Sequence, residues 1–491
     1  MYLIGYDLGS SSIKASLLEI DSNQVVATAQ HPKSEMAIES IHSTWAEQDP
    51  ETWWKAVIQC TNELIGKSQI DKSEVQGIGI AYQMHGLVLV DKNLEVLRPS
   101  IIWCDSRAVD IGNKAFADLG EPQCLRNLLN SPGNFTASKL AWVKQHEPET
   151  YARVWKFMLP GDFIAMKMSG ETTTTASGLS EGIFYDFVQE GISESIMSYF
   201  GFDSALIPRV VPTFGTQSTL SRQGAEALGL KEGIQITYRA GDQPNNALSL
   251  NVLNPGELAT TAGTSGVVYA VSDKLRADSQ SRINSFAHVN HSKDLRRIGI
   301  LLCINGTGIM YAWARKNLDV DAYDEMNALA ESVPIGADGL SVVPFGNGAE
   351  RILNNQNPGA HVANLHLSRH NKSHILRAIQ EGIAFSFKYG IDIMNDLGVE
   401  ANVMRAGNSN LFQSAVFRNT LANVTGAQIE LYDTDGSQGA ARGAGIGLGC
   451  YTKQSAFTGL KTLSTIDPNE SEQERVYEAY QHWKTHLEKM T

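Results

Sequence analysis

The sequence predicts an α/β fold of two lobes that face each other across a cleft. Two observations carry this prediction. An apolar run, a Gly/Ser loop and a second apolar run follow one another in residues 2–20, and the same strand, loop and strand pattern returns in residues 257–271. A chain of 491 residues also exceeds what one hydrophobic core usually supports. We therefore expect two domains, residues 1–250 and 251–491, with an interdomain cleft.

The first loop has the composition of a phosphate cradle. Small residues let backbone N–H groups approach an anionic oxygen, serine hydroxyls add donors, and a lysine adds positive charge. Asp7, at the end of the strand, suits a Mg²⁺ ion held through water. An ordinary hairpin with a serine-rich turn is the alternative for this segment alone, but one such loop per half suggests a duplicated nucleotide site. The candidates in the two loops are Gly9, Ser10, Ser11, Lys14, Gly263, Thr264 and Ser265.

Composition restricts the class of protein and its partners. The chain is 42% hydrophobic and 19% charged without low-complexity tracts, which is typical of globular proteins. A net charge of −13 disfavours a nucleic-acid partner. Five widely spaced cysteines without a CxxC pair indicate neither disulfides nor zinc. No signal peptide and no apolar run of about 18 residues is found, so we expect a cytoplasmic protein without a membrane partner.

Two loops between predicted strands offer groups that suit a polyhydroxylated ligand. In Gln83–Gly86, Met84 supplies an apolar face and His85 an imidazole donor. In the segment Trp103–Arg107, Trp103 supplies a wall and Asp105 a hydrogen-bonding group. Each residue taken alone is more often structural.

Asp242 is the candidate general base. Residues 234–240 alternate like a strand and lead into Gly241-Asp242-Gln243, with Pro244 placed to start a helix. An N-capping role is the alternative. Because Asp242 lies between the two phosphate loops, its carboxylate could accept a proton from a sugar hydroxyl that attacks the γ-phosphate of ATP. No Walker A motif is present, and the glycine series 443–449 indicates close helix packing rather than a dinucleotide site.

Taken together, these motifs resemble the FGGY carbohydrate kinases, which share a superfamily with heat-shock chaperones and actin, and among them the xylulokinases. The resemblance covers nearly the whole chain. It implies a two-lobed actin-like ATPase (ribonuclease H-like) fold, with duplicated mixed sheets and flanking helices. The segments that carry it are Asp7–Ser10 with Lys14, Gln83–Leu87, Trp103–Arg107, Gly241–Gln243, Gly263–Ser265 and Glu381–Phe385.

The resemblance also implies roles for individual residues. Residues 1–250 would bind the sugar and supply the base, and residues 251–491 would bind ATP. Asp242 matches the catalytic base, and Asp7 matches the acidic position of the first phosphate loop, at which Mg²⁺ is expected. The sugar-binding candidates are Met84, His85, Trp103, Asp105, Asp242 and Gln243. Further nucleotide-binding candidates are Gly306, Gly407, Asn408 and Asn410.

The implied activity is that of an ATP-dependent phosphotransferase acting on the terminal hydroxyl of a ketopentose, with D-xylulose 5-phosphate as product if the substrate is D-xylulose. Two segments depart from the family pattern, the glycine-poor stretch 405–408 and Gln243–Asn246. Ribulose, gluconate and deoxy-sugars therefore stay open as substrates. The alternatives are an actin-like or chaperone-like ATPase and a sugar-binding regulator. The resemblance points to a homodimer.

Overall fold

The computed structural model describes all 491 residues, in 23 strands and 16 α-helices. The strands are β1 (Tyr2–Leu8), β2 (Ile13–Glu19), β3 (Gln24–His31), β4 (Glu47–Gln48), β5 (Val75–Tyr82), β6 (Val88–Val90), β7 (Ser100–Ile101), β8 (Lys156–Met158), β9 (Thr173–Thr175), β10 (Tyr185–Asp186), β11 (Gly191–Ile192), β12 (Arg209–Val211), β13 (Phe214–Thr219), β14 (Gln235–Gly241), β15 (Glu257–Ala262), β16 (Gly266–Ser272), β17 (Asn284–Ala287), β18 (Ile298–Ile304), β19 (Ser341–Val343), β20 (His361–Ala363), β21 (Val403–Gly407), β22 (Gln428–Tyr432) and β23 (Thr462–Ile466). The helices are α1 (Pro50–Ser68), α2 (Val109–Leu119), α3 (Glu121–Asn127), α4 (Thr136–His146), α5 (Pro148–Arg153), α6 (Pro160–Ser169), α7 (Ala176–Glu181), α8 (Glu194–Phe200), α9 (Arg222–Leu228), α10 (Asp242–Ser249), α11 (Gly308–Asn317), α12 (Tyr323–Glu331), α13 (Lys372–Asp396), α14 (Ala415–Thr425), α15 (Gly436–Leu448) and α16 (Glu470–Glu488).

The two large sheets repeat one topology. The first has the order β13-β14-β5-β1-β2-β3, and the second the order β17-β18-β16-β15-β21-β22-β23. In each sheet a central strand, β1 or β15, pairs antiparallel with the strand that follows it and parallel with a later strand. The order of five core strands is therefore the same in both, which confirms the predicted duplication of mixed sheets.

Two helices link the sheets. Helix α10 follows the last parallel strand of the first sheet and packs against β15 and β16 of the second. Helix α15 follows the corresponding strand of the second sheet and packs on the first, where it contacts β1, β5 and β14. The glycine series predicted to pack closely lies in this helix, and a Cβ on Gly443 or Gly447 would overlap Tyr238 or the Thr237 backbone. Close helix packing is thus confirmed.

Each sheet is covered by helices that bury its apolar side chains. Helices α1 and α6 lie on one face of the first sheet, opposite α15, and Tyr6 of β1 donates or accepts a hydrogen bond at 2.6 Å with Thr61 of α1. Helix α13 packs on β16 and β18, and α16 packs in turn on α13 and α14. None of the helices combines the length and the apolar character needed to cross a bilayer.

Candidate active site

Parallel pairing brings three predicted site segments to one edge of the first sheet. Strands β1, β5 and β14 are parallel neighbours, and Leu8, Tyr82 and Gly241 lie level at their carboxyl ends. Asp7, the Gln83–Gly86 loop and Asp242 therefore meet at that edge. Asp242 begins helix α10, as the sequence predicted from the strand and proline around it.

Asp7 and Asp242 are both buried carboxyls with a raised pKa. Burial, followed by the charge of Asp7, raises the pKa of Asp242 to about 7, although hydrogen bonding from Gln243 opposes this. Burial, followed by the charge of Asp435, raises the pKa of Asp7 to about 6, although Lys14 opposes this. Carboxylates that repel one another in a partly dehydrated site favour protonation or a bound cation.

Asp435 is a site residue that the sequence analysis missed. It lies at the corner between β22 and α15, as Asp242 lies at the corner between β14 and α10, and its carboxylate caps α15 by accepting the N–H of Gln438 at 3.0 Å. The next residue, Gly436, approaches Asp7 so closely that a Cβ would overlap the carboxylate. The signal for Asp435 was the second strand-to-helix corner, which becomes recognisable only once the duplication of the sheets is known.

The first predicted phosphate loop is tight and partly exposed. Gly9 donates its N–H to the carbonyl of Ser12 at 3.1 Å, which closes the turn between β1 and β2. Lys14 lies directly opposite Asp7 in the antiparallel register and its side chain is exposed. Trp103, which is 53% exposed, reaches this loop, since its Nε1 lies 3.5 Å from Ser10 Oγ. The loop and one predicted wall of the sugar site are thus adjacent.

The second phosphate loop is shaped by the start of helix α11. Gly308 donates its N–H to the carbonyl of Gly263 at 3.0 Å, and the Thr307 hydroxyl bonds the carbonyls of Gly263 and Thr264 at 3.2 Å each. The carbonyls of Gly263 and Thr264 are thus held at the start of α11, and the side chains of Thr264 and Ser265 are exposed. Asn410 lies nearby, with its Nδ2 3.7 Å from the position of a Cβ on Gly263.

The other predicted nucleotide residues divide into two groups. Gly407 ends β21, and the exposed Asn408 follows it at the same sheet edge as the Gly263 loop. Gly306, in contrast, is buried, and its N–H donates to Glu350 Oε1 at 2.7 Å. A Cβ there would overlap the carbonyl of Pro344. The N–H of Gly306 is therefore not free to bind a phosphate, and its place near the nucleotide stays a prediction.

His85 is neutral and held in one tautomer. Its Nδ1 lies 2.9 Å from the carbonyl oxygen of Glu181, and because a carbonyl only accepts, Nδ1 carries the proton. Burial, followed by the charge of Lys139, lowers the pKa of His85 to about 3. The remaining Nε2 is then an acceptor, which corrects the expectation of an imidazole donor. Met84 is buried against Gly241, directly before Asp242.

Lys139 holds the His85 loop through hydrogen bonds to backbone carbonyls. It is fully buried, and its ammonium donates to the carbonyls of His85 at 2.9 Å and Ile102 at 3.0 Å. Burial lowers its pKa to about 7. His85 lies in one of the two loops predicted to contact the sugar and Ile102 directly precedes the other, so one side chain connects both loops.

Asp105 does not face the cleft. It is fully buried, and its Oδ2 accepts the N–H of Ala46 at 2.6 Å and the Arg107 Nη2 at 2.6 Å. The Arg107 guanidinium also stacks on Trp45, 3.8 Å from the ring centroid. With its carboxylate occupied by this network, Asp105 has a structural role, which corrects the prediction of a sugar contact.

The carboxylates at the cleft offer the oxygen ligands that a hard cation prefers. Burial raises the pKa of both Asp7 and Asp242, the charge of Asp7 adds to the shift at Asp242, and a divalent cation nearby would stabilise the ionised forms. No set of three His, Cys, Asp or Glu side chains converges closely enough to hold a metal ion by itself. The residues thus fit a cation that is held largely through water and a phosphate ligand.

Comparison with known proteins agrees with this geometry. Residues 2–249 match the N-terminal domain, and residues 258–451 the C-terminal domain, of the FGGY family of carbohydrate kinases. The chain is 29% identical over 443 residues to a xylulose kinase of Escherichia coli strain K12, which covers 90% of this chain and 88% of that protein. The crystal structure of xylulose kinase from Rhodospirillum rubrum superposes with a TM-score of 0.89 at 25% identity, covering 100% of this chain and 99% of the other. That of gluconate kinase from Lactobacillus acidophilus shares the fold, with a TM-score of 0.89 at 19% identity, covering 100% and 98%.

These matches span both lobes and confirm the predicted actin-like ATPase fold. The chain belongs to the FGGY family of carbohydrate kinases and is an ATP-dependent sugar kinase.

Proposed function

We propose that this kinase phosphorylates the terminal hydroxyl of D-xylulose and releases D-xylulose 5-phosphate. The observation that carries the proposal is the placement of Met84 and His85 next to Gly241 and Asp242, on neighbouring strand ends. A ketose held by the first pair would lie beside the carboxylate of Asp242. The curated relatives that cover most of this chain include xylulose kinases, which supports the choice of sugar.

Asp242 is proposed to accept the proton of the attacking hydroxyl. A general base works best when its pKa lies near the working pH, and the pKa of Asp242 is raised to about 7. The exposed loops around Gly9 and Thr264 would hold the phosphates of ATP through N–H and hydroxyl donors. Mg²⁺, when bound with ATP, would neutralise charge on the phosphates, and Asp7 is the residue proposed to hold it through water.

His85 is proposed to orient the sugar rather than to transfer a proton. Its Nδ1 is committed to Glu181, so its Nε2 can accept a hydrogen bond from a sugar hydroxyl. Met84 and Trp103 would supply apolar walls for the C–H face of the sugar, and Gln243 a further amide. Nucleotide contacts are proposed for the exposed Gly407–Asn410 segment.

The rate should depend on pH through the carboxyl of Asp242. A base must be deprotonated to accept a proton, so kcat/KM should fall by about tenfold per pH unit on the acid side of the transition. The midpoint is expected near the raised pKa of Asp242, about 7. Asp7→Asn removes one charge and should move the midpoint to lower pH. A profile that is flat from pH 5 to 8 would contradict the assignment.

The sugar is tested by an ADP-release assay with ATP and Mg²⁺. The panel holds D-xylulose, L-xylulose, D-ribulose, L-ribulose, gluconate, glycerol and a blank without sugar. D-xylulose should give the highest kcat/KM. If another sugar does, the kinase assignment stands, and Gln243–Asn246, which departs from the family pattern, becomes the segment to exchange. Turnover that no sugar raises above the blank would favour an ATPase or a regulator instead.

A further inference from the structure

The edge strand of the second sheet is sealed by side chains of the first lobe. Strand β17 pairs only with β18, so the outward N–H and C=O groups of Ser285 and Ala287 lack a neighbouring strand. Asn130 donates to the Ser285 carbonyl at 2.6 Å and accepts the Ser285 N–H at 3.1 Å. Ser177 donates to the Ala287 carbonyl at 2.9 Å, and Ser180 accepts the Ala287 N–H at 2.9 Å. Three polar side chains thus replace a strand.

Phe286 lies between Ser285 and Ala287 in β17. Its side chain is 1% exposed and packs against His85. The centroids of the two rings are 5.3 Å apart. Phe135 of the first lobe lies edge-on to the same imidazole, 4.8 Å from its centroid, and also contacts Phe286. The imidazole of His85 is therefore bounded by one aromatic ring from each lobe.

The hydrogen bond that holds His85 also involves a helix that binds strand β17. Its Nδ1 donates to the carbonyl of Glu181, the last residue of α7. Helix α7 also carries Ser177 and Ser180, which bind Ala287. The ring contact and the hydrogen bond that fix the imidazole both depend on where β17 lies relative to the first lobe.

We infer that Phe286 is a positioning residue for His85, and that Asn130, Ser177 and Ser180 fix the strand that carries it. The orientation of the imidazole is then set by both lobes. A buried aromatic ring restricts its neighbours by shape, so a smaller side chain at 286 leaves His85 free to rotate away from the sugar. This inference rests on the proposed contact between His85 and the sugar.

Phe286→Leu tests the inference because it keeps an apolar side chain and removes the ring. KM for the best sugar of the panel should rise by about three- to tenfold, while KM for ATP and kcat stay within about twofold. Phe417→Leu is the matched control, since Phe417 is also fully buried in the second lobe but contacts Phe387 and Phe412 instead of His85. The control should change neither KM.

Two further variants make the outcome decisive. His85→Asn, at a position with φ of 62° that Asn tolerates, should raise KM for the sugar by itself. Ser180→Ala should raise it in the same direction as Phe286→Leu, and the two effects should be less than additive because both act through His85. If His85→Asn raises KM for the sugar but Phe286→Leu matches the Phe417 control, the inference is wrong. If His85→Asn leaves that KM unchanged, the sugar contact proposed above is wrong, and the inference falls with it.

Discussion

Asp242→Asn should lower kcat for sugar phosphorylation by roughly 10²- to 10⁴-fold, the range that a general base contributes. The amide keeps the size of the side chain but cannot take the hydroxyl proton. ATP binding should survive, because the loops around Gly9 and Thr264 are unchanged. The measurements are kcat by ADP release with sugar, and Kd for ATP by isothermal titration.

Asp110→Asn is the control for this substitution. Asp110 is exposed and lies in the first turn of α2, as Asp242 lies in the first turn of α10. The control should retain full activity because α2 lies outside the cleft edge. Asp242→Asn with kcat within tenfold of the native enzyme would overturn the base assignment.

Asp242→Asn should also stabilise the folded protein at pH 8. The pKa of Asp242 is raised in the folded chain from 3.8 to about 7, so folding favours the protonated carboxyl. This contribution is complete below about pH 4 and is lost as the pH rises through about 7. The neutral variant lacks the ionisation, so its Tm should exceed that of the native chain at pH 8, and the difference should vanish near pH 4. A lower Tm at pH 8 would show that burial and the Asp7 charge do not disfavour the ionised form.

Gly5→Ala should destabilise the protein by about 3 kcal/mol or more, the upper range for overpacking. Gly5 lies in β1 where α15 crosses the sheet, and a Cβ would overlap the Ser437 carbonyl and the Ala441 backbone. Backbone atoms on both sides leave no flexible side chain to move aside. Because α15 begins beside Asp7, displacing the helix should also lower kcat. Urea denaturation measures the loss of stability, and ADP release the loss of activity.

Gly66→Ala is the matched control and should change stability in the opposite direction. Gly66 is exposed in α1, and nothing lies within 4 Å of a Cβ there. Alanine favours the helix over glycine by about 0.8 to 1 kcal/mol, so this variant should be slightly more stable. If Gly5→Ala costs less than about 1 kcal/mol, the helix is not packed against the sheet as tightly as the structure indicates.

Some predicted site residues have their polar groups occupied by other parts of the chain. Asp105 and Gly306 belong to segments that do border the cleft, but one is occupied by Arg107 and Ala46 and the other by Glu350. A sequence motif does not show which of its polar groups are already bonded. His85 was predicted as a donor, whereas the carbonyl of Glu181, 96 residues away, makes its free nitrogen an acceptor.

The duplication, the two Gly/Ser loops and the strand-to-helix corner at Asp242 could be predicted from the sequence, because each of these depends on local spacing and on residues adjacent in the chain. Close helix packing by the glycine series also followed from composition. Which groups meet between the two lobes depends instead on contacts between residues far apart in the chain. Asp435 lies 428 residues from Asp7 in the sequence and Phe286 lies 201 residues from His85, yet Asp435 raises the pKa of Asp7 and Phe286 packs on His85. Such pairings arise when two sheets and the helices exchanged between them bury their apolar faces, and no local pattern encodes that arrangement.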